Sequence, residues 1–463
     1  MKAVLFAWCL VFTTVVTHGQ VAPVISSEFD IAGPIPRPYE TRIPAIASNG
    51  TNWLVMWHKG RAQGLGGALI GSNGEFKTNF NFPLISAGIP VVASDGHDYF
   101  VAWGDYLDSS LHAVRISGDG VLLSSVGFLV YSGLWGEPKI ACNGTNYLVI
   151  WEDSHFYPTN FNIFGVLCDP TGTVVSRTNP IPISINLSNQ FSPTVASDGS
   201  DFLVVWEDER NWNISVTDIF GARVNGVGDV LDRSGIPICT YGEFQGFPIV
   251  GSNGRDYFVT WQDRRNLATS GWSIFGAHVS RMGTAAVDVA VSNWIYDQEY
   301  PNLAACGESY LVAWRDWSKG FSLDSRLRGA WVTNGKLLDP DGFLINDSAG
   351  NQNYPAVSYR TDGQLLIANQ GWRDNNNHIV GNIISVPDWQ PKLCGITAQS
   401  NHIALSWFAD TSKSYRVQYR TNLTSGNWED LPGTITATKS VAEKNDTTMG
   451  MSPERFYRVV LLP

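Results

Sequence analysis

An all-β chain folded as a seven-bladed β-propeller is what this sequence predicts, on three observations. One proline-to-tryptophan block recurs six times with its internal spacing unchanged. A weaker seventh copy follows. The composition, with 45 glycines and 12% aromatic residues in a chain of 463, suits turn-rich strands rather than helices.

The first residues are "MKAVLFAWCLVFTTVVTHGQ". Lys2, the apolar run Ala3–Val16 and the small residues around Thr17-His18-Gly19 read as a secretory signal over residues 1–19, removed on export. The run is shorter than a membrane-spanning helix requires, and no other stretch is long and apolar enough. The expectation is a secreted, periplasmic or cell-surface chain with no membrane span in its mature form.

The segment "EFDIAGPI" at 28–35 stands alone before the repeats. It echoes the Leu-Asp-x-x-Gly pattern of the fourth strands through Phe29, Asp30 and Gly33. The last copy has no fourth strand of its own, so this segment is expected to complete that blade and remove an open sheet edge.

The six strong copies begin at Pro44 ("PAIASNGTNWLVMW"), Pro90, Pro138, Pro193 ("PTVASDGSDFLVVW"), Pro248 and Pro301. In each, tryptophan stands 13 positions later: Trp57, Trp103, Trp151, Trp206, Trp261 and Trp314. The seventh starts at Pro355, and successive prolines lie 46, 48, 55, 55, 53 and 54 residues apart. Within a copy, "PTVAS" is one strand, a D-G or N-G pair turns the chain back, and "DFLVVW" is a strand covered on both faces. "DIFGARV" (218–224) and "DVLDRSGIPI" (229–238) supply the third and fourth. Blades accordingly start near 41, 87, 135, 190, 245, 298 and 352, in a propeller spanning 20–388. Three residues after each proline stand Ala47, Ala93, Ala141, Ala196, Gly251, Ala304 and Ser358. Such small side chains fit innermost strands that crowd around an axis.

Residues 390–463 change rhythm. "ITAQSNHIALSWFAD" and "KSYRVQYR" alternate apolar and polar residues, as strands of a small antiparallel sandwich do. Trp407 and Tyr457 resemble the buried aromatics of fibronectin type III modules, which implies a spacer or attachment domain. The repeats themselves resemble the P-x-V-A-S-D-G-x-D-Y-h-V-x-W-x-D units (h, apolar) of exported bacterial propeller proteins. That resemblance implies fold rather than activity. The sialidase Asp-box, S-x-D-x-G-x-x-W, is not matched.

A formal net charge of −11 excludes a nucleic-acid partner, whose phosphates need a concentrated positive face. Cys142, Cys168, Cys239, Cys306 and Cys394 remain after signal removal. Their odd number and wide scatter form neither a disulfide framework nor a metal motif. One disulfide stays open as an alternative.

Carboxylates follow the second strand in six copies: Asp105, Asp153, Asp208, Asp263, Asp316 and Asp374. Gln190, Gln245, Gln298 and Gln352 stand three residues before their prolines, on the same end of the ring. A residue needed in nearly every copy points to a structural ring; the alternative is a cation site, calcium by its oxygen donors. No other cofactor is implied. Function is expected where the repeat breaks. The count from tryptophan to the third-strand Gly or Ala is 10 in copies one and two, then 14, 15, 15 and 15. The long loops carry His155, Tyr157, Trp212, Trp272, Trp317 and Phe321. Exposed rings of this kind offer flat apolar faces to sugars or to a protein. The leading expectation is a monomeric, non-enzymatic binder of a polysaccharide or protein through this rim. The alternative is a propeller glycoside hydrolase or lyase working with carboxylates such as Glu152, Glu207 and Glu209 on the same face.

Overall fold

The computed structural model describes residues 23–35, 43–60, 63–84, 86–133, 136–153, 160–267, 271–318, 324–339, 342–385, 393–398, 402–408, 414–421, 427–438, 441–448 and 455–462. The expected signal lies outside them. Two compact units are present, one from Ile25 to Ser385 (apart from 361–363) and one containing 386–463. No helix among the described residues is long and apolar enough to cross a membrane.

In the larger unit the described residues form seven antiparallel sheets of four or five strands, numbered 1 to 7 in chain order by their first strands Ala45–Ser48, Val91–Ser94, Lys139–Cys142, Gln190–Ser197, Gln245–Ser252, Gln298–Cys306 and Gln352–Arg360. Sheet 4 shows the pattern: Gln190–Ser197, Phe202–Asp208, Asp218–Val224 and Ile236–Cys239, each hydrogen-bonded to the next in chain order. The first strand of every sheet packs beside the first strand of the following one, and that of sheet 7 beside that of sheet 1. This closed circuit of radially stacked four-stranded units is a β-propeller. Crowding at its inner edge is real: a Cβ on Gly251 would lie 2.2 Å from Leu303 Cδ1 of the neighbouring sheet.

Apolar cores sit between sheets rather than within them. Trp206 of sheet 4 joins Leu148, Ile163 and Ile181 of sheet 3, and Trp151 of sheet 3 joins Phe100 and Leu111 of sheet 2. All six repeat tryptophans are buried, at 0–6% exposure. At the tight-turn end, Gly199 takes φ +90°, a conformation that side chains resist, while Asp198 accepts the Ser200 and Asp201 N–H groups. Tyrosines opening the second strands stitch neighbours there: Tyr99 OH donates to Asn52 O at 2.8 Å, and Tyr310 OH to Asp256 O at 3.2 Å.

Phe29–Ile35 pairs antiparallel with Asn376–Ser385, the third strand of sheet 7. Ile31 and Ile35 are buried in one cluster with Trp53 and Ile70 of sheet 1 and Leu366 and Ile379 of sheet 7. The pairing corrects the sequence correspondence. Phe29 lies opposite Gly381, as Ile236 lies opposite Gly221, so the shared Leu-Asp-x-x-Gly pattern does not mark equivalent positions.

Sheet 7 also departs from expectation at its second strand. Gln364–Arg373 and Asn376–Ser385 are long and joined through Asp374 and Asn375, with φ +49° and +61°. Two successive positive φ values make a primed hairpin turn in place of the long loop of copies three to six. Asp374 therefore belongs to the turn and not to the aspartate ring. Gly371 lies opposite Gln352, where Asp208 lies opposite Gln190, and Asn369 takes the tryptophan position.

The smaller unit contains a three-stranded sheet (Leu393–Ala398, Ile403–Phe408, Val441–Asp446) and a second sheet around Ser414–Arg420 and Phe456–Leu461. Leu405, Trp407, Tyr415, Val417 and Val459 form its core. Asp446 is fully buried and held by Arg455 Nη1 at 2.6 Å and by the Tyr457 hydroxyl at 2.8 Å.

Candidate functional site

Where second strands end and first strands begin, the ring presents one face. On a strand, residues i and i+2 share a side. In sheets 3, 4 and 5 the tryptophan therefore reaches the aspartate two residues on. Trp151, Trp206 and Trp261 donate their indole N–H to Asp153, Asp208 and Asp263 at 3.1, 2.8 and 2.9 Å. These carboxylates are 0–1% exposed. Arg210 binds Asp208 through Nε and Nη2 and lies 3.9 Å over the Phe220 ring; Arg265 does the same with Asp263 and Phe275. Arg326 Nε supplies the cation for Asp316 at 2.9 Å. The glutamines are fully buried too. Their backbone N–H groups bind the preceding sheet's loop, as Gln245 N to Thr217 O at 3.2 Å, and their side-chain amides turn back to carbonyls two residues earlier, as Gln298 to Tyr296 O.

Just beyond each glutamine the first strand bulges. The residue before proline, Ser192, Phe247, Tyr300 or Tyr354, takes φ between +49° and +54°. The register shift across Phe191/Thr194, Gly246/Ile249, Glu299/Asn302 and Asn353/Ala356 is the same extra-residue bulge four times. Three of these strained positions are pinned by the preceding sheet. Glu152 Oε2 accepts Ser192 N–H at 2.6 Å, Glu207 Oε1 accepts Phe247 N–H at 2.7 Å, and Gln262 Oε1 accepts Tyr300 N–H at 2.9 Å. Burial raises the proton affinity of both Glu152 and Glu207 above that of an ordinary carboxyl.

Three of the four bulged positions carry rings, and these rings lie against one another. Phe247, Tyr300 and Tyr354 follow one another across three sheets, with centroids 5.9 and 4.6 Å apart and ring planes at 72° and 53°. Phe247 is 44% exposed. Arg315 takes the place that Glu152, Glu207 and Gln262 hold in earlier sheets. It pairs with Glu299 at 3.4 Å and lies against Tyr300 and Trp317 at 5.5 and 4.4 Å. Trp317 donates its indole N–H to Glu299 at 2.9 Å. Sequence reading did not find this ladder. Its trace is the recurring Gln-x-ring-Pro in "QGFP", "QEYP" and "QNYP".

The expected rim residues divide three ways. Trp212 opens a four-residue helical turn, Trp212–Ser215, and is 58% exposed beside Ile214 at 75%. Trp272 is half-buried, edge-on to Phe244 at 5.3 Å with Arg264 4.3 Å over it. Trp317 joins the ladder. His155, Tyr157 and Phe321 lie outside the described residues. Asp105 departs from the other ring aspartates: it accepts the Ser86 hydroxyl and the Leu107 N–H, and its oxygens lie within 4.8 Å of ligand atoms of Asp108 and His112.

No family model matches the chain, and no curated protein matches it. Among solved structures the chain is similar to the α-L-arabinofuranosidase Arb93A of Fusarium graminearum, with 12% identity over 65% of this chain and 92% of that one and a TM-score of 0.39. It is also similar to an α-L-arabinanase of Penicillium chrysogenum, with 13% identity, 63% and 90% coverage and a TM-score of 0.42. A third is TolB of Acinetobacter baumannii, with 16% identity, 70% and 67% coverage and a TM-score of 0.37.

Proposed function

We propose that this chain is an exported, seven-bladed propeller that holds a neutral polysaccharide chain on its ladder face, without cleaving it. Residues 28–35 close the last blade, and residues 390–463 form a fibronectin-like module that spaces or attaches the propeller. The observation that carries the reading is the run Phe247–Tyr300–Tyr354, extended by Trp317. Rings at 4.6–5.9 Å spacing give a corrugated apolar surface for sugar C–H groups, and Glu299 and Arg315 beside it supply an acceptor and a donor for hydroxyls. The net charge of −11 disfavours polyanionic glycans, which makes neutral chains the better fit.

One observation favours the hydrolase reading: Glu152 and Glu207 hold their protons more tightly than ordinary carboxyls, as a general acid does. Against it, each already accepts a backbone N–H that pins the neighbouring sheet. A panel of soluble neutral and acidic polysaccharides, assayed by affinity electrophoresis and by release of reducing ends, separates the readings. Retardation by a neutral polymer with no new reducing ends supports binding. Release of reducing ends that is lost in Glu207→Gln would establish the enzyme instead. A protein ligand is the remaining outcome, and failure of every glycan to retard the chain would point to it.

A further inference from the structure

Sheet 2 lacks the electrostatic pattern of sheets 4, 5 and 6. In sheets 4 and 5 the position two residues after the aspartate is arginine (Arg210, Arg265), and the residue opposite the tryptophan is phenylalanine (Phe220, Phe275). The guanidinium fills the space between carboxylate and ring. In sheet 6 Arg326 brings the positive charge from the third strand. In sheet 2 the corresponding residues are Asp105, Leu107 and His112, with His112 opposite Trp103. The cation is missing from the sequence, an imidazole stands where the phenyl ring was, and a second carboxylate, Asp108, is added.

We propose that Asp105, Asp108 and His112 bind a divalent transition-metal ion of the zinc class, which takes the place of the guanidinium found in sheets 4, 5 and 6. One ligand atom from each residue lies within 4.8 Å of the other two, and among the described residues no other such group of three or more His, Cys, Asp or Glu side chains occurs. The imidazole is oriented for this role. His112 Nδ1 lies 2.9 Å from Gly127 O, and Trp103 lies nearly parallel to the ring at 20°. A carbonyl oxygen can only accept, so Nδ1 carries the proton and donates it. Nε2 faces Asp108 Oδ2, 2.9 Å away, where it donates a second proton when the ring is cationic and offers its lone pair to a metal when the ring is neutral. A proton and a metal ion therefore compete for the same place between imidazole and carboxylate, and the nearby Asp105 carboxylate adds the third donor that a metal uses. Metal-ligating histidines are commonly anchored this way through their other nitrogen. Asp105 is steadied in turn by Ser86 Oγ and Leu107 N.

One nitrogen and two carboxylate oxygens select zinc, cobalt or manganese over calcium, whose sites are built from oxygen alone. Tetrahedral zinc bonds of about 2.0–2.2 Å set donor atoms roughly 3.3–3.6 Å apart, so Asp108 Oδ2, 2.9 Å from His112 Nε2, has to back away slightly. Asp108, 53% exposed on its loop, is free to do so. Three protein ligands leave a fourth position for water or a ligand oxygen.

The test is calorimetric titration of zinc chloride into the untagged full chain, stripped of metal with a chelator that is then removed, alongside thermal melts. One equivalent of zinc should bind and raise the melting temperature. Asp108→Asn and His112→Ala should each weaken zinc at least about tenfold and abolish the melting shift. Asp108 is exposed, so its variant keeps the fold and remains decisive if His112→Ala does not fold. Absence of stoichiometric binding would overturn the assignment; in that case His112 is a protonated partner of Asp108. Binding unchanged in Asp108→Asn would place zinc elsewhere and overturn it equally.

Discussion

Glu207 Oε1 accepts the backbone N–H of Phe247 from the next sheet at 2.7 Å, and in doing so holds a ring-bearing residue at φ +54°. Gln262 makes the same bond to Tyr300, so an amide serves there as well as a carboxylate. Burial raises the proton affinity of Glu207 above the ordinary carboxyl value of 4.5. The folded chain therefore favours the protonated acid. Its contribution to stability is complete below the unfolded value and drains away as pH climbs through the raised one. Glu207→Gln keeps the acceptor and removes the titration, so its stability relative to wild type should rise between about pH 4 and about pH 8 in urea unfolding. An equal difference at both values would contradict the account. Glu207→Ala, which strands the Phe247 N–H, should cost about 1–3 kcal/mol.

Asp208 is fully buried between the Trp206 indole and the Arg210 guanidinium. Its removal leaves both donors without their acceptor and a cation without its counter-charge. Asp208→Ala should lower unfolding free energy by about 3–5 kcal/mol in urea titrations. A loss below about 0.5 kcal/mol would show that the carboxylate is dispensable to the fold.

Closure of the ring by Phe29–Ile35 is tested at Ile31 and Gly33. Ile31 is 6% exposed and packs against sheets 1 and 7 together. Ile31→Ala should cost about 2–5 kcal/mol, whereas Ile214→Ala on the exposed rim should stay within about 0.5 kcal/mol. A Cβ at position 33 would fall 2.1 Å from His378 Nδ1, so Gly33→Ala should displace the strand. Faster amide exchange along Asn376–Ser385 in that variant is the expected readout, and unchanged exchange would contradict the pairing.

Much of the fold was legible because its signals are local and repeated. The Gly199-type turns, the small residues at Ala196 and its counterparts, and tryptophans recurring at one spacing each follow from one strand or one turn. The ladder was hidden because it depends on φ of the residue before a proline. That residue is ordinarily extended, and nothing in "QEYP" announces a positive value at Tyr300. Sheet 7 was misread at Asp374 for a related reason. Its Asp374–Asn375 pair makes a two-residue turn without glycine, and the longer hairpin carries Trp372 three positions past its counterparts. The correspondence of Phe29-Asp30-Gly33 with the fourth strands was a match of letters. Pairing opposite Gly381, set by the neighbouring strand, decides the true register.

Polysaccharide affinity of a double variant, Tyr300→Ala with Tyr354→Ala, tests the proposed function most directly. Isothermal titration should use the neutral polymer that retards the wild-type chain, with circular dichroism and melting curves confirming that the ring is intact. The account predicts at least a tenfold loss, about 1.4 kcal/mol of binding free energy. Undiminished affinity in a folded double variant would contradict it.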